Sequence, residues 1–277
     1  MIEIGDPTAS RLIVPALAQC GARLDWTVST YLTKLTSSRN ALSCAIDAKS
    51  QGFFFGLQVA ALSEIAEQLG KKDWNLSLNH CDEYTPISPG IYNNIVNCNC
   101  SSADECHISV MCFEGNMFNG TVPAELGNLV DLLYLNLNTN NLTGELPKEF
   151  SNLINLRELS RLSSNNFNGK LPSFQSCEQL RILELEASGF EGPIPSDVSL
   201  LLNLTEIRIT DLNGGASEFP KLENTTALEK LMLRNCNISG TIPVYLANFS
   251  LRYMDLSFNR LEGNIPNFEG ALHLQNM

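Results

Sequence analysis

Residues 132–147 read LLYLNLNTNNLTGELP, and the rest of the chain is ordered around this stretch. Residues 180–195 read LRILELEASGFEGPIP, 228–243 read LEKLMLRNCNISGTIP and 251–266 read LRYMDLSFNRLEGNIP. The shared frame is L-x-x-L-x-L-x-x-N-x-L-x-G-x-I-P, and self-similarity at such a period marks a stacked-repeat architecture. Copies start at Leu132, Leu156, Leu180, Leu204, Leu228 and Leu251, at intervals of 24 residues and once 23. A weaker copy starts at Ile108, with Met111, Phe113, Asn116, Phe118, Gly120 and Pro123 in frame. Seven ribs therefore fill residues 108–277.

The frame has a direct physical meaning. L-x-x-L-x-L is a short strand with Leu135 and Leu137 facing inward. One such strand cannot bury its apolar side alone, but stacked copies form a parallel sheet over a continuous core. Asn140 and Asn259 stand at the ninth position, where a side-chain amide can satisfy backbone groups as the chain turns; Ser188 and Cys236 stand there in other ribs. Gly144, Gly192, Gly240 and Gly263 permit a tight bend, and the proline that follows ends regular pairing. Two ribs depart from the frame. Residues 156–172 carry one residue too many near Ser160, which predicts a bulge in the strand or an error in the gene model. In 204–220, Leu212 replaces the asparagine and Gly214-Gly215 widens the turn, which predicts an irregular convex side.

Of the 277 residues, 30 are Asp or Glu and 18 are Lys or Arg, for a net charge of −12. Such a chain is poorly suited to nucleic acid or anionic membrane surfaces, which need clustered basic residues. No run of 18 apolar residues signals a membrane span. Nine cysteines are present, and Cys81, Cys98, Cys100, Cys106 and Cys112 crowd one stretch. Their spacing lacks a paired C-x2-C and only His107 lies beside it, so disulfides fit better than zinc. Connectivity is not deducible from sequence; the expected pairs are Cys81–Cys98 and Cys100–Cys106. The motif N-x-S/T occurs at Asn75, Asn99, Asn119, Asn141, Asn203, Asn224, Asn237 and Asn248, and its absence before residue 75 favours a secreted history for the later part.

Residues 59–107 read as a cap on the first rib. Val59, Leu62, Ile65, Ala66 and Leu69 share one helical face and Gly70 stops the helix. A solenoid needs such a cap, because its first rib otherwise shows apolar surface to water. The other end has no comparable cysteine pair, which predicts an exposed last rib or a longer protein. Residues 1–58 do not fit the plan. GFFFGLQVAA at 52–61 resembles the end of a secretory signal but lies far from Met1. This segment reads as disordered or as a mispredicted start, which puts the beginning of the chain in doubt.

Solenoids of this kind bind through the concave strands. One outward column runs Asn136, Arg161 (if Ser160 is the inserted residue), Glu184, Arg208, Met232, Asp255; the next runs Tyr134, Glu158, Ile182, Glu206, Lys230, Tyr253. Ribs sit about 4.8 Å apart, so Arg161–Glu184–Arg208 and Glu206–Lys230 can pair across strands. The face is either self-neutralised and solvated, or a polar groove for a peptide or glycan. Tyr134, Tyr253 and Phe258 would then be its aromatic anchors. The candidate face comprises Tyr134, Asn136, Glu184, Glu186, Glu206, Arg208, Lys230, Arg234, Tyr253 and Asp255. Catalysis has little support. Glu184 and Glu186 stand about 7 Å apart, as paired carboxylates of glycosidases do, but on an open face. His80, His107 and His273 are scattered without a nucleophile. Cys112 and Cys236 read as ordinary repeat variants. No catalytic, metal or cofactor site is expected.

The frame LxxLxLxxNxLxGxIP resembles the plant-specific leucine-rich repeat. EIAEQLGKKDWN, followed by C, NCNC and CHIS, resembles the start of the ectodomain in one group of plant leucine-rich-repeat receptor-like serine/threonine kinases. RITDLNGG and LRNCNISGTIP resemble later repeats of that group. The resemblance covers residues 59–277. It implies an α/β solenoid with parallel strands on the concave face and a disulfide-bearing helical cap. It also implies repeats that precede a malectin-like domain, a membrane span and a kinase domain. No Gly-rich phosphate loop, V-A-I-K-like strand, H-R-D or D-F-G string occurs, so kinase activity is not expected in this chain. The expected function is ligand recognition, extracellular at the plasma membrane or secreted, with a peptide, glycan or protein ligand and a co-receptor kinase as partners. The alternative is a secreted inhibitor of a pathogen cell-wall hydrolase.

Overall fold

The computed structural model describes residues 53–70, 94–102, 105–159, 162–269 and 274–275. Among these, the chain forms one α-helix, α1 (Phe53–Gln68), and two kinds of strand. Strands β1 (Ile95–Ser102), β2 (Glu105–Cys112), β4 (Tyr134–Asn136), β6 (Glu158–Leu159), β8 (Ile182–Leu185), β9 (Glu206–Thr210), β11 (Lys230–Arg234) and β13 (Tyr253–Asp255) form one concave sheet in that order. Strands β3 (Asn119–Thr121), β5 (Asn141–Gly144) and β7 (Asn166–Phe167) form a small lateral sheet. A second lateral sheet comprises β10 (Ser217–Glu218), β12 (Ile238–Thr241) and β14 (Arg260–Glu262). From β2 onward every neighbour in the concave sheet is parallel, while β1 and β2 form an antiparallel hairpin. Among the described residues no helix is long and apolar enough to cross a membrane.

The frame leucines line one continuous core, and Leu132, Leu135, Leu156, Leu159, Leu180, Leu183, Leu204, Leu228 and Leu231 are fully enclosed. Each such side chain contributes about 1.5–3 kcal/mol by leaving water. At the N-terminal end Leu62, Ile65 and Ala66 of α1 join this core with Leu69 just beyond it, and Gly70 follows at φ +72°. Gln68 Nε2 donates to Glu125 Oε2 at 2.7 Å, tying the helix to the first rib. The boundary expected at residue 107 falls inside β2, because the hairpin strand is itself the first rung of the parallel sheet.

The ladder asparagines satisfy backbone groups of two ribs at once. Asn140 Nδ2 donates to Leu137 O at 3.0 Å and to Phe113 O at 2.8 Å, while its Oδ1 accepts from Phe118 N at 3.2 Å. Asn259 repeats this against Leu233 O, and its Oδ1 accepts from Ile238 N at 3.0 Å. Where the asparagine is absent, smaller groups serve: Ser188 Oγ donates to Leu185 O, and Cys236 Sγ to Ile209 O. Burial pushes the thiols up, to about 11 for Cys177, where Asp197 adds to it, and to about 12 for Cys236. Both stay protonated and inert in the folded chain.

The residue just before each ladder position has positive φ: Gly115, Thr139, Ser164, Ala187, Asp211, Asn235 and Phe258. Nothing in the frame marks this site, since only one of the seven is glycine. The left-handed turn swings the following side chain inward, beneath the strand. Thr139 at φ +54° is β-branched, a type strained in this region. Thr139→Gly is therefore expected to raise the unfolding free energy by about 0.5–1 kcal/mol, measured as a higher urea midpoint at unchanged slope.

Two other expectations meet a different geometry. Gly144, Gly240 and Gly263, expected at tight bends, take positive φ, but Gly192 does not; its peptide bond to Pro193 is cis. Short 3-10 helices follow Pro123, Pro147, Pro195 and Pro243 on the convex side. After Pro172 and Pro220 plain turns replace them, so the irregularity expected in 204–220 is shared by an earlier rib. Ser160 and Arg161, where the bulge was expected, lie outside the described residues, as does the whole of 1–52.

Candidate recognition face

The two outward columns stand in register. Tyr134, Glu158, Ile182, Glu206, Lys230 and Tyr253 are successive partners across the sheet, and so are Glu184–Arg208 and Met232–Asp255. Parallel in-register strands bring same-column side chains to about 4.8 Å, close enough for ion pairing.

Arg208 is the centre of this face. Its Nε lies 2.5 Å from Glu206 Oε1 and 3.6 Å from Glu184 Oε1, and its guanidinium reaches Glu186 Oε1 at 3.5 Å. Glu206 is only 5% exposed and meets Lys230 Nζ at 3.3 Å on its other oxygen. Burial pulls the Arg208 pKa down, but Glu206, Glu184 and Glu186 together outweigh it, so the charge is held more firmly than usual. A carboxylate as enclosed as Glu206 needs both cations to offset its lost hydration. The rim pairs, by contrast, contribute roughly 0–1 kcal/mol each. Glu184 and Glu186 thus serve one guanidinium on an open sheet rather than flanking a cleft.

Toward the last rib the face changes character. Arg234 lies 4.3 Å above the Phe258 ring, 3.8 Å from Asp255 and within hydrogen-bond reach of Ser257 Oγ. Burial raises the Asp255 carboxyl, yet the Ser257 hydroxyl and amide and the Arg234 charge outweigh it and hold it below the usual carboxylate range. Phe258 is 70% exposed. A hollow of about 450 Å³ lies alongside, walled by Tyr253, Asp255, Ser257 and Ile265. Among the described residues no cluster of His, Cys, Asp and Glu could hold a metal ion.

Three of the candidate residues are not presented to a ligand: Tyr134, Asn136 and Glu206, whose carboxylate is taken up by Arg208 and Lys230. Tyr134 is 1% exposed and Asn136 is 0% exposed. Asn136 is used within the fold: its Nδ2 donates to Glu114 Oε2 at 3.0 Å and its Oδ1 accepts from Asn138 N at 2.9 Å. Tyr134 stands in a column between Val110 and Glu158, with Ile182 two ribs on, and Val110, Tyr134 and Ile182 are all enclosed. Glu184, Glu186, Arg208, Lys230, Arg234, Tyr253 and Asp255 remain accessible in part. Phe258, named only as an anchor from sequence, proves to be stacked with Arg234.

The cysteines also differ from expectation. Cys98 is disulfide-bonded, and so is Cys112, which reads from sequence as a repeat variant pointing outward. Cys112 is 4% exposed and stands opposite Ile95 of the neighbouring strand β1. The expected pairs Cys81–Cys98 and Cys100–Cys106 involve side chains that lie outside the described residues.

The Leucine Rich Repeat family model matches residues 131–153, 227–249 and 250–272. A probable leucine-rich repeat receptor-like serine/threonine-protein kinase of Arabidopsis thaliana is 34% identical over 96 residues, 32% of this chain and 9% of the relative. A second probable kinase of the same type and organism is 44% identical over 94 residues, 31% of this chain and 9% of the relative. The plant peptide hormone receptor RGFR1, solved in complex with RGF2, matches with a TM-score of 0.55 at 30% identity, over 61% of this chain and 27% of that one. The matched stretch thus spans under a tenth of either kinase. Rib spacing, ladder and parallel sheet agree with these likenesses: the chain carries leucine-rich repeats, and about a third of it is homologous to plant leucine-rich repeat receptor-like serine/threonine kinases.

Proposed function

We propose that the chain is an extracellular recognition region of a plant receptor-like kinase and that its concave sheet binds a peptide. The observation that carries this is the polar face from Glu184 to Phe258, set on the same repeats that resemble a peptide hormone receptor. A strand-built face of this kind holds an extended peptide by side-chain contacts, with charged groups fixing register and aromatic groups anchoring. The Arg234–Phe258 pair, with Tyr253 and the hollow beside it, supplies the aromatic and cationic part. The Glu184, Glu186 and Arg208 cluster supplies the polar part. Signalling then belongs to a partner or to segments beyond these repeats, since the matched stretch carries over none of the relatives' kinase activity.

The test is titration of the full chain against a library of synthetic peptides. A binder is expected whose Kd rises about tenfold, or about 1.4 kcal/mol, in Arg234→Ala. Arg234 is 46% exposed, so this variant is expected to melt at the wild-type temperature. Failure of every peptide, or an unchanged Kd in Arg234→Ala, removes the reading.

A further inference from the structure

The hollow beside Tyr253 is walled by side chains of a kind that earlier ribs keep dry. Ile265 is 65% exposed, whereas Leu146 and Leu171, at the same frame position, are each 6% exposed. Leu256 is partly exposed, whereas its counterparts Leu137, Leu185 and Leu233 are enclosed. Ile242 and Tyr253 extend the apolar wall. Among the described lining residues the one charged side chain is Asp255. An occupant complementary to this space has an apolar body and a positive group.

Asp255 narrows the choice. Its Oδ1 accepts from Ser257 Oγ at 2.6 Å and from Ser257 N at 2.9 Å. Its Oδ2 has Arg234 at 3.8 Å, too far for a hydrogen bond. Arg234 is also shared. Hydrogen bonds from Asn235 and Thr210 hold the Asp211 carboxyl below its usual range against the pull of burial, and the charge of Arg234 adds to this. One guanidinium thus serves two carboxylates, and these three groups together carry one negative charge in excess. Glu206 shows that this sheet can set two cations on one carboxylate, Arg208 on Oε1 and Lys230 on Oε2. A planar guanidinium is matched by both oxygens of a carboxylate, whereas a compact ammonium needs one. Only Oδ2 of Asp255 has room for a donor.

We infer that the hollow is a lysine pocket, in which the stem of a peptide lysine lies on Ile242, Leu256 and Ile265 and its ammonium donates to Asp255 Oδ2. The inference rests on the peptide reading above and names the residue that anchors such a peptide. A lysine stem covers apolar surface while its head stays polar, which an N-terminal α-ammonium cannot do.

The full chain, labelled at its isoleucine methyl groups, is titrated by NMR with Nα-acetyl-lysine N-methylamide and with its norleucine and arginine counterparts. The lysine probe is expected to move the Ile242 and Ile265 signals. It is expected to bind about tenfold more tightly than norleucine, which keeps the stem and lacks the charge. Asp255→Asn is expected to remove that advantage and to leave norleucine unchanged. The variant is expected to keep the fold, because Asn136 holds the same frame position in an earlier rib and accepts from Asn138 N in the same way. Equal binding of lysine and norleucine, arginine as tight as lysine, or an advantage that survives in Asp255→Asn overturns the pocket, and so does silence of both methyl groups. If the lysine probe seats here but no peptide binds the chain, the recognition reading fails and the pocket stands. If peptides bind without moving these signals, the recognition reading stands and the pocket fails.

Discussion

Replacing Asn165 by leucine is expected to lower the unfolding free energy by about 2–4 kcal/mol. Asn165 is 7% exposed and joins two ribs. Its Nδ2 donates to Leu137 O at 3.0 Å and to Leu162 O at 2.9 Å, and its Oδ1 accepts from Leu142 N at 3.1 Å. Leucine nearly matches the volume but leaves these backbone groups without a partner, at about 1–3 kcal/mol for a buried group left wholly unmet. The amide of Leu142 matters most, because orphaned buried N–H groups are rarer than orphaned carbonyls. The natural substitutions at this position limit the estimate. Phe167 N donates to the backbone oxygen of Ser188, and Leu212 N to that of Asn235, so a rib lacking the asparagine can turn to main-chain acceptors. Asn165→Ser should accordingly cost less than Asn165→Leu. Urea unfolding followed by circular dichroism decides it. Equal midpoints for wild type and Asn165→Leu would sink the idea that the ladder couples the ribs. A transition split in two would place the break at this interface, as nearest-neighbour stacking requires.

The ladder also shows what sequence could and could not convey. Rib count, strand register and outward columns follow from spacing alone, because every rib repeats one geometry and a column is read by adding 24. The Glu206–Lys230 and Glu184–Arg208 contacts were legible for the same reason. Enclosure was not. Tyr134 and Tyr253 occupy the same column and the same frame position, yet only Tyr253 is partly open, since burial depends on neighbours in other ribs rather than on place within one. Convergence was missed too: Glu186 lies outside both columns, but the long Arg208 side chain reaches it as well as Glu184 and Glu206. The left-handed position before the ladder carries seven residue types in seven ribs, so no composition signal could mark it. Cys112 had the same difficulty in reverse. Its frame position says outward, and spacing within one rib carries no sign of the disulfide that holds it.

Glu186→Asn is expected to abolish peptide binding when the chain is secreted, and to leave it nearly intact when the chain is made without glycosylation. The substitution creates the sequon Asn-Ala-Ser, ending in Ser188, at the end of β8 beside Arg208. The Glu186 side chain is 37% exposed, so a sugar attached there projects over the face instead of into the core. Ser188 is buried in the folded chain, but glycan transfer acts on the nascent chain, before burial removes the hydroxyl. Two effects must be separated: loss of the 3.5 Å contact to Arg208, and the bulk of the sugar. Glu186→Gln removes the contact without creating a sequon. Because Arg208 keeps Glu206 and Glu184, its expected change in Kd is under about threefold, in line with an exposed ion pair. The glycosylated Asn variant is expected to lose at least about 100-fold, or about 2.7 kcal/mol, because peptide and sugar cannot occupy the same strands. Production in the bacterial periplasm, which forms disulfides but adds no N-glycan, should restore the Asn variant to the Gln value. Normal binding by the fully glycosylated variant would show that the peptide does not cross the Arg208 region, and recognition would then have to lie elsewhere on the solenoid.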